Sequence, residues 1–119
     1  RPALLAAALA LGGCLAPKPA FDIATLQPTE ADQVTLTGWL QLGGQIRLYP
    51  EKKHLGETGK GSCLSGVLLS LAGRPGPEFN DRRVAVSGYL RWMGSEGDGA
   101  LKDECGGGLI LLAGDVSQP

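Results

Sequence analysis

The only histidine of the chain, His54, lies in its most polar stretch, between Glu51 and Glu57. An imidazole beside a carboxylate can carry out general acid–base catalysis. The surrounding residues 51–61 are mostly charged residues and glycines, with a single aliphatic side chain, which is typical of a mobile, solvated loop. We therefore interpret His54 as a solvated loop residue rather than as a catalytic base.

The motifs for nucleophilic catalysis and for phosphate binding are incomplete. Ser62 and Ser65 lack the glycine spacing of a nucleophile elbow. The glycine run 106–108 is not followed by the Lys-Ser/Thr pair that a phosphate-cradling loop requires, and it suits a tight turn beside Cys105 instead. We expect a protein without catalytic activity, and a hydrolase centred on His54 is the least favoured alternative.

The composition predicts one small domain of short strands. The chain has 119 residues, which is enough for a single core. Its 19 glycines are scattered between apolar runs, a pattern that favours turns and strands over helices. The formal charge of −1 argues against a general nucleic-acid binder, which usually carries a basic excess.

Five segments have the alternation or the continuous apolar character of β-strands. In the first and the fourth of them, a glycine falls on the apolar face, at Gly38 and Gly88. Gly43-Gly44 predicts a two-residue hairpin turn between the first two strands. The predicted strands cover residues 34–42, 45–49, 62–71, 83–93 and 109–113.

The chain begins with an apolar run that ends at Leu11-Gly12-Gly13-Cys14. This tetrapeptide resembles the lipobox of bacterial lipoproteins, in which an aliphatic residue and two small residues precede a cysteine that receives a diacylglycerol. The resemblance implies a signal peptide over residues 1–13, with a truncated basic region, and a lipid anchor on Cys14. The alternative is a buried or interfacial helix, because spanning a bilayer takes about 20 apolar residues.

The same resemblance implies a location and a tether. Leu15 stands where an Asp would retain a lipoprotein in the inner membrane, so we expect a cell-envelope protein anchored in the outer membrane and facing the periplasm. Residues 14–33 contain several prolines and no apolar periodicity, which indicates a tether between lipid and domain. Phe21 and Ile23 are candidates for docking onto the domain.

The strand pattern and the motif Arg83-Val84-Ala85-Val86-Ser87-Gly88 resemble the small OB-like domains of uncharacterised bacterial envelope proteins. The resemblance implies an all-β fold, a five-stranded OB-like barrel over residues 34–119. Residues 72–81 are too short and proline-rich for the usual helix between the third and fourth strands, so we expect that helix to be reduced or missing, with Phe79 closing the barrel end. The alternative is an open β-sandwich or meander.

This topology predicts the state of the cysteines. With Cys14 lipidated, Cys63 and Cys105 remain, and an OB-type barrel places them near the same end of two neighbouring parallel strands. We therefore expect a Cys63–Cys105 disulfide, which an exported domain of this size often needs. With both thiols paired, only His54 and scattered carboxylates are left as metal ligands, so no metal site and no cofactor are predicted.

The outward faces of the barrel carry the candidate binding residues. OB-type domains bind single-stranded nucleic acids or oligosaccharides on such a face by stacking on aromatic rings. The acidic charge balance and the export signal favour an envelope protein partner, with a glycan or another small ligand as the alternative, and disfavour nucleic acid. In a competing interpretation, Trp39 and Tyr49 simply cover the tether or the polar loop. The candidate residues are Trp39, Arg47, Tyr49, Tyr89 and Arg91.

The lipoprotein hypothesis predicts the intact mass of the protein recovered from bacterial membranes. We expect Cys14 to be the acylated first residue, and the thiols of Cys63 and Cys105 to react with an alkylating reagent only after reduction. Mass spectrometry with and without reductant measures both. An unprocessed chain with three free thiols would contradict the anchor and the disulfide together.

Overall fold

A computed structural model of the chain describes residues 20–29, 32–59, 61–69, 75–93 and 102–119. Over these residues the fold is all-β: five strands and three single-turn 3-10 helices, at Ile23–Thr25, Lys52–His54 and Pro77–Phe79. The strands are β1 Val34–Gln41, β2 Ile46–Tyr49, β3 Leu64–Leu68, β4 Arg82–Trp92 and β5 Leu109–Ser117.

The strands form a closed barrel in the order β1-β2-β3-β5-β4. The pairs β1–β2, β2–β3, β1–β4 and β4–β5 are antiparallel, and β3 pairs with β5 in parallel. This is the predicted small OB-like barrel rather than the open sandwich or meander. Pairing β1 with β4 leaves no unpaired strand edge in the sheet, and such edges are sites of aggregation.

Side-chain alternation decides which residues form the core. The inward positions of each strand are apolar, and their side chains pack together inside the barrel. The buried cluster consists of Leu40, Ile46, Leu48, Leu64, Val84, Val86, Leu90, Leu109, Leu111 and Ala113.

The connection from β3 to β4 contains only the 3-10 turn Pro77–Phe79 among its described residues, so the usual OB helix is reduced, as predicted. Phe79 is half-buried and packs against the core cluster. After this turn, Asp81 adopts a left-handed φ of 59° and donates its N–H to the Leu40 carbonyl at 2.7 Å. The Asn80 side chain accepts the Leu42 N–H at 2.8 Å. These bonds fix the position at which β4 begins.

The β1–β2 connection differs from the predicted two-residue turn. The strands end at Gln41 and resume at Ile46, and the last register pair is Gln41 with Arg47. Neither Gly43 nor Gly44 has the positive φ that a type I′ or II′ hairpin requires. The connection is therefore a longer loop, and Gly43 and Gly44 adopt another backbone conformation in it.

The described part of the predicted tether lies on the barrel. Ala20 donates its N–H to the Pro50 carbonyl at 2.9 Å, and Phe21 packs against the core. Thr29 exchanges two bonds with Leu90: its N–H donates to the Leu90 carbonyl, and its hydroxyl accepts the Leu90 N–H, both at 2.9 Å. Residues 20–29 thus belong to the folded domain, and docking of Phe21 is confirmed.

The inward glycines permit close approach of backbones. A Cβ at Gly38 would lie 2.7 Å from the Tyr49 carbonyl oxygen and 2.9 Å from the Phe21 ring. A Cβ at Gly88 would collide with the Leu112 carbonyl, next to an irregularity in the β4–β5 register. Any side chain at either position would push paired strands apart.

We expect Gly38→Ala to lower the free energy of unfolding by about 2 kcal/mol, because the methyl group meets backbone that can move only with the strand. Gly44→Ala is the matched control, since a Cβ there meets nothing within 4 Å. Urea unfolding followed by Trp fluorescence compares the two. Equal midpoints for both variants would show that the β1–β2 spacing does not depend on Gly38.

Candidate functional site

Cys63 and Cys105 form the predicted disulfide, with Cα atoms 5.4 Å apart. Both residues are buried, Cys63 just before β3 and Cys105 in the turn before β5. The bridge joins positions 42 residues apart, and closing a loop of that length stabilises the fold by about 4 kcal/mol in the chain-entropy model. The covalent link therefore sits where the two parallel strands enter the barrel.

Asp103 organises the turn that carries Cys105. Its carboxylate accepts hydrogen bonds from the backbone N–H groups of Gly106 and Gly108 and, at 2.8 Å, from the Ser65 hydroxyl. The same hydroxyl, which is buried in β3, accepts the Cys105 N–H at 2.9 Å. The sequence interpretation missed this group, although an Asp shortly before positive-φ glycines is a recognisable turn signal.

The polar stretch around His54 is packed rather than free. His54 Nδ1 lies 2.9 Å from Glu57 Oε2, and its Nε2 lies 3.4 Å from Glu51 Oε2. Leu55 packs against the cluster formed by Tyr49 and the disulfide. Residues 51–59 therefore form a lobe on the outer surface of the barrel. Among the described residues, no three His, Cys, Asp or Glu side chains converge to hold a metal ion.

Tyr49 points outward from the barrel wall but is covered by this lobe. Its side chain is 0% exposed, and its hydroxyl donates to the Glu57 carbonyl at 2.8 Å. Burial raises the pKa of the Tyr49 hydroxyl, against the opposing effect of the nearby Arg47 charge, so the group remains a donor at neutral pH. Tyr49 therefore lies beneath the polar loop, the arrangement named in the competing interpretation, and its ring is not exposed for binding.

The remaining candidate residues do not form one face. β1 lies against β4 as predicted, but the register places Trp39 opposite Arg83. Tyr89 is six residues further along β4, or about 20 Å at a rise of about 3.3 Å per residue. Arg91 pairs with Ile110 at that same distant end, and Arg47 is half-buried opposite Ser65 on the β2–β3 side. The aromatic patch is therefore split between the two ends of the barrel.

Trp39 instead belongs to a groove at the end where β4 begins. The groove has a volume of about 510 Å³. The half-buried Trp39 ring packs against the Tyr49 cluster, and the Lys52 ammonium lies 5.2 Å from its centroid, a cation–π distance. We call this site the Trp39 groove; it is lined by Trp39, Glu78, Phe79, Arg82, Arg83, Gln118 and Pro119.

Sequence reasoning did not select Arg82 and Arg83 as site residues. Both arginines lie at the start of β4, at the rim of the barrel. Both side chains are exposed there. Their place beside Trp39 follows from the β1–β4 register and from the turn at Asp81. No local sequence signal marks that register.

A second, apolar cleft of about 270 Å³ lies at the opposite end, beside the disulfide. Leu26 and Ile23 from the docked segment face Leu109 and Trp92 across it. Trp92 occupies an inward position of β4 by alternation, yet it is 53% exposed because the strand extends past the core there. Trp92 and Gly107, which line the cleft, lie before and after residues 94–101 in the sequence. Those residues lie outside the described part, so we assign no ligand to the cleft.

The predicted lipid site, Cys14, also lies outside the described residues. Within the described ranges, no helix combines the length and the apolar character that crossing a membrane requires. No protein-family model matches the chain, and comparison with curated proteins gives no significant match.

We expect Asp103→Ala to lower the free energy of unfolding by about 2 to 4 kcal/mol, because the buried Ser65 hydroxyl and the Gly108 N–H lose their acceptor. The Gly106 N–H keeps only its 3.2 Å bond to the backbone carbonyl of residue 103. Glu104→Ala is the matched control, since the adjacent carboxylate is exposed. Urea denaturation under oxidising conditions gives both values. A midpoint for Asp103→Ala equal to that of Glu104→Ala would contradict the assigned role.

Proposed function

We propose that this protein is a lipid-anchored binding module of the bacterial cell envelope, without catalysis, which binds a protein partner in the Trp39 groove. The observation that carries the proposal is the composition of the groove: an indole and a phenyl ring beside two exposed guanidinium groups. Tryptophan and arginine are the residues most enriched among those that dominate protein–protein binding energies.

The environment of Trp39 favours a protein over a glycan. Sugars bind to tryptophan by stacking on an open ring face. Here the ring packs against the Tyr49 cluster, and the Lys52 ammonium lies over it. The ring therefore offers an edge and a cationic neighbour, which suit a side chain of a partner better than a stacked pyranose.

The location in the envelope is supported by two independent features. The lipobox-like residues Leu11-Gly12-Gly13-Cys14 support export and lipidation. The buried Cys63–Cys105 disulfide supports an oxidising compartment, because structural disulfides are rare in reducing ones. Ala20, the first described residue, already bonds to the barrel, so the domain would lie within a few residues of an anchor on Cys14.

The arrangement around His54 supports a structural role for this residue. Both ring nitrogens face carboxylates of the same lobe, Glu51 and Glu57. The imidazole is thus engaged in holding the lobe over Tyr49. A hydrolase would instead need this ring directed at a nucleophile or at a bound water.

In-cell photo-crosslinking tests the proposed function. We expect p-benzoylphenylalanine placed at position 78 or 118, both in the groove, to give the same covalent adduct with one envelope protein. Position 115, exposed on β5 outside the groove, is the matched control. We expect Trp39→Ala to reduce the adduct yield from position 118 by about tenfold or more, with circular dichroism checking that the variant is folded.

Two results would contradict the proposal. One is the absence of any adduct from both groove positions. The other is an identical set of adducts from position 115, which would mean that the groove has no selective role.

A further inference from the structure

We infer that the Trp39 groove binds an acidic polypeptide segment, in which carboxylates pair with Arg82 and Arg83 and a neighbouring apolar residue packs against Phe79. This inference rests on the proposed function and names the chemistry of the partner. It follows from the charges of the groove, from the lack of ion-pair partners for its two arginines among the described residues, and from the mixed apolar and charged lining.

The two guanidinium groups have no partner among the described residues. Neither Arg82 nor Arg83 forms an ion pair or a side-chain hydrogen bond there, and both are exposed. Lys53 is different, because its ammonium lies 3.7 Å from Glu51. Over the described residues, the guanidinium N–H groups of Arg82 and Arg83 are therefore exposed to solvent rather than paired within the protein.

The acidic residue of the groove does not neutralise them. The Glu78 carboxylate lies against Gly76 and forms no ion pair with either arginine over the described part of the chain. Lys52, held over Trp39, adds a third cation at the same end of the barrel. The lining thus holds two guanidinium groups and one acidic side chain, with the Lys52 ammonium beside it over Trp39, and this excess of positive side chains makes the groove complementary to an anion.

The geometry of the cations suits carboxylates. A guanidinium group presents a planar fork that pairs with a carboxylate through two parallel hydrogen bonds. Arg82 and Arg83 are consecutive on a strand, so their side chains leave the backbone on opposite sides and yet line one groove. Two carboxylates separated along an extended chain match this spacing better than a single compact anion.

The apolar and acidic parts of the lining favour a polypeptide over a membrane surface. Phe79 and Trp39 provide apolar contact area between the charges, and Glu78 would repel a densely anionic sheet of headgroups. A polypeptide can alternate acidic and apolar residues at the spacing of the groove. An anionic lipid surface is the competing occupant that the experiment must separate.

Fluorescence anisotropy with the full chain tests the inference. The probe is a fluorescein-labelled peptide of repeated Glu-Glu-Leu, and its Gln-Gln-Leu counterpart is the neutral control. We expect the acidic peptide to bind about tenfold more tightly at about 50 mM NaCl and to lose most of that advantage at about 500 mM, since salt screens exposed charges. We expect the double variant Arg82→Gln/Arg83→Gln to weaken binding of the acidic peptide about tenfold.

Lys102→Gln is the control for general charge loss, because Lys102 lies outside the groove and its backbone, not its ammonium, bonds to Gln45. It should leave the affinity unchanged. Thermal melts should be superimposable for all these variants, since the replaced side chains are exposed and bond nothing in the described part of the domain.

Equal affinity for the two peptides, or equal affinity of the double variant and the native chain for the acidic one, would overturn the inference. Arginine-dependent binding to phosphatidylglycerol vesicles without binding to the acidic peptide would also overturn it, in favour of a lipid surface. If crosslinking from position 118 still traps the partner in the double variant, the acidic segment is excluded while the proposed protein-binding function stands. If peptide binding depends on the arginines but no partner is trapped in cells, the proposed function fails alone.

Discussion

Pairing of β1 with β4 is the constraint on which the rest of the structure depends. Seven consecutive residue pairs, from Val34 with Gly88 to Leu40 with Arg82, close the barrel. Closure buries the inward side chains of every strand at once, and it requires glycine at positions 38 and 88, where backbones approach too closely for a Cβ. The barrel order then places β3 beside β5 in parallel, which brings Cys63 and Cys105 within bonding distance.

The same register determines which side chains are neighbours on the surface. It sets Trp39 beside Arg83 at one end and leaves Tyr89 about 20 Å away at the other. Residues 51–59 then cover Tyr49 and place Lys52 over the Trp39 ring, so the groove beside Trp39 is cationic with an aromatic edge. The proposed recognition by charge and side-chain packing, rather than by sugar stacking, rests on this arrangement.

Much of the barrel could be anticipated from particular residues. The alternation in β1 and β4, the glycines on their inward faces, and the proline-rich stretch before Pro77–Phe79 each carry a local signal that matches the observed element. The disulfide followed from the OB-like order once that order was assumed. Asp103 was missed although its turn signal is local, and the β1–β2 loop was misjudged because two adjacent glycines suit several turn types.

The sequence alone determined which residues of β1 and β4 face the core, because their alternation between apolar and polar residues depends only on neighbours in the chain. The third and fifth segments carry no such alternation. The sequence also determined that one domain would hold a cysteine pair. Only the tertiary structure decided which outward residues stay accessible. Burial of Tyr49 depends on how the residues that follow it fold back over the ring and on the distant disulfide packed against it. Exposure of Trp92 depends on where the core ends. The position of Trp39 beside Arg82 and Arg83 depends on a register between distant strands. Register is set by the summed fit of all paired residues, and no single segment encodes it.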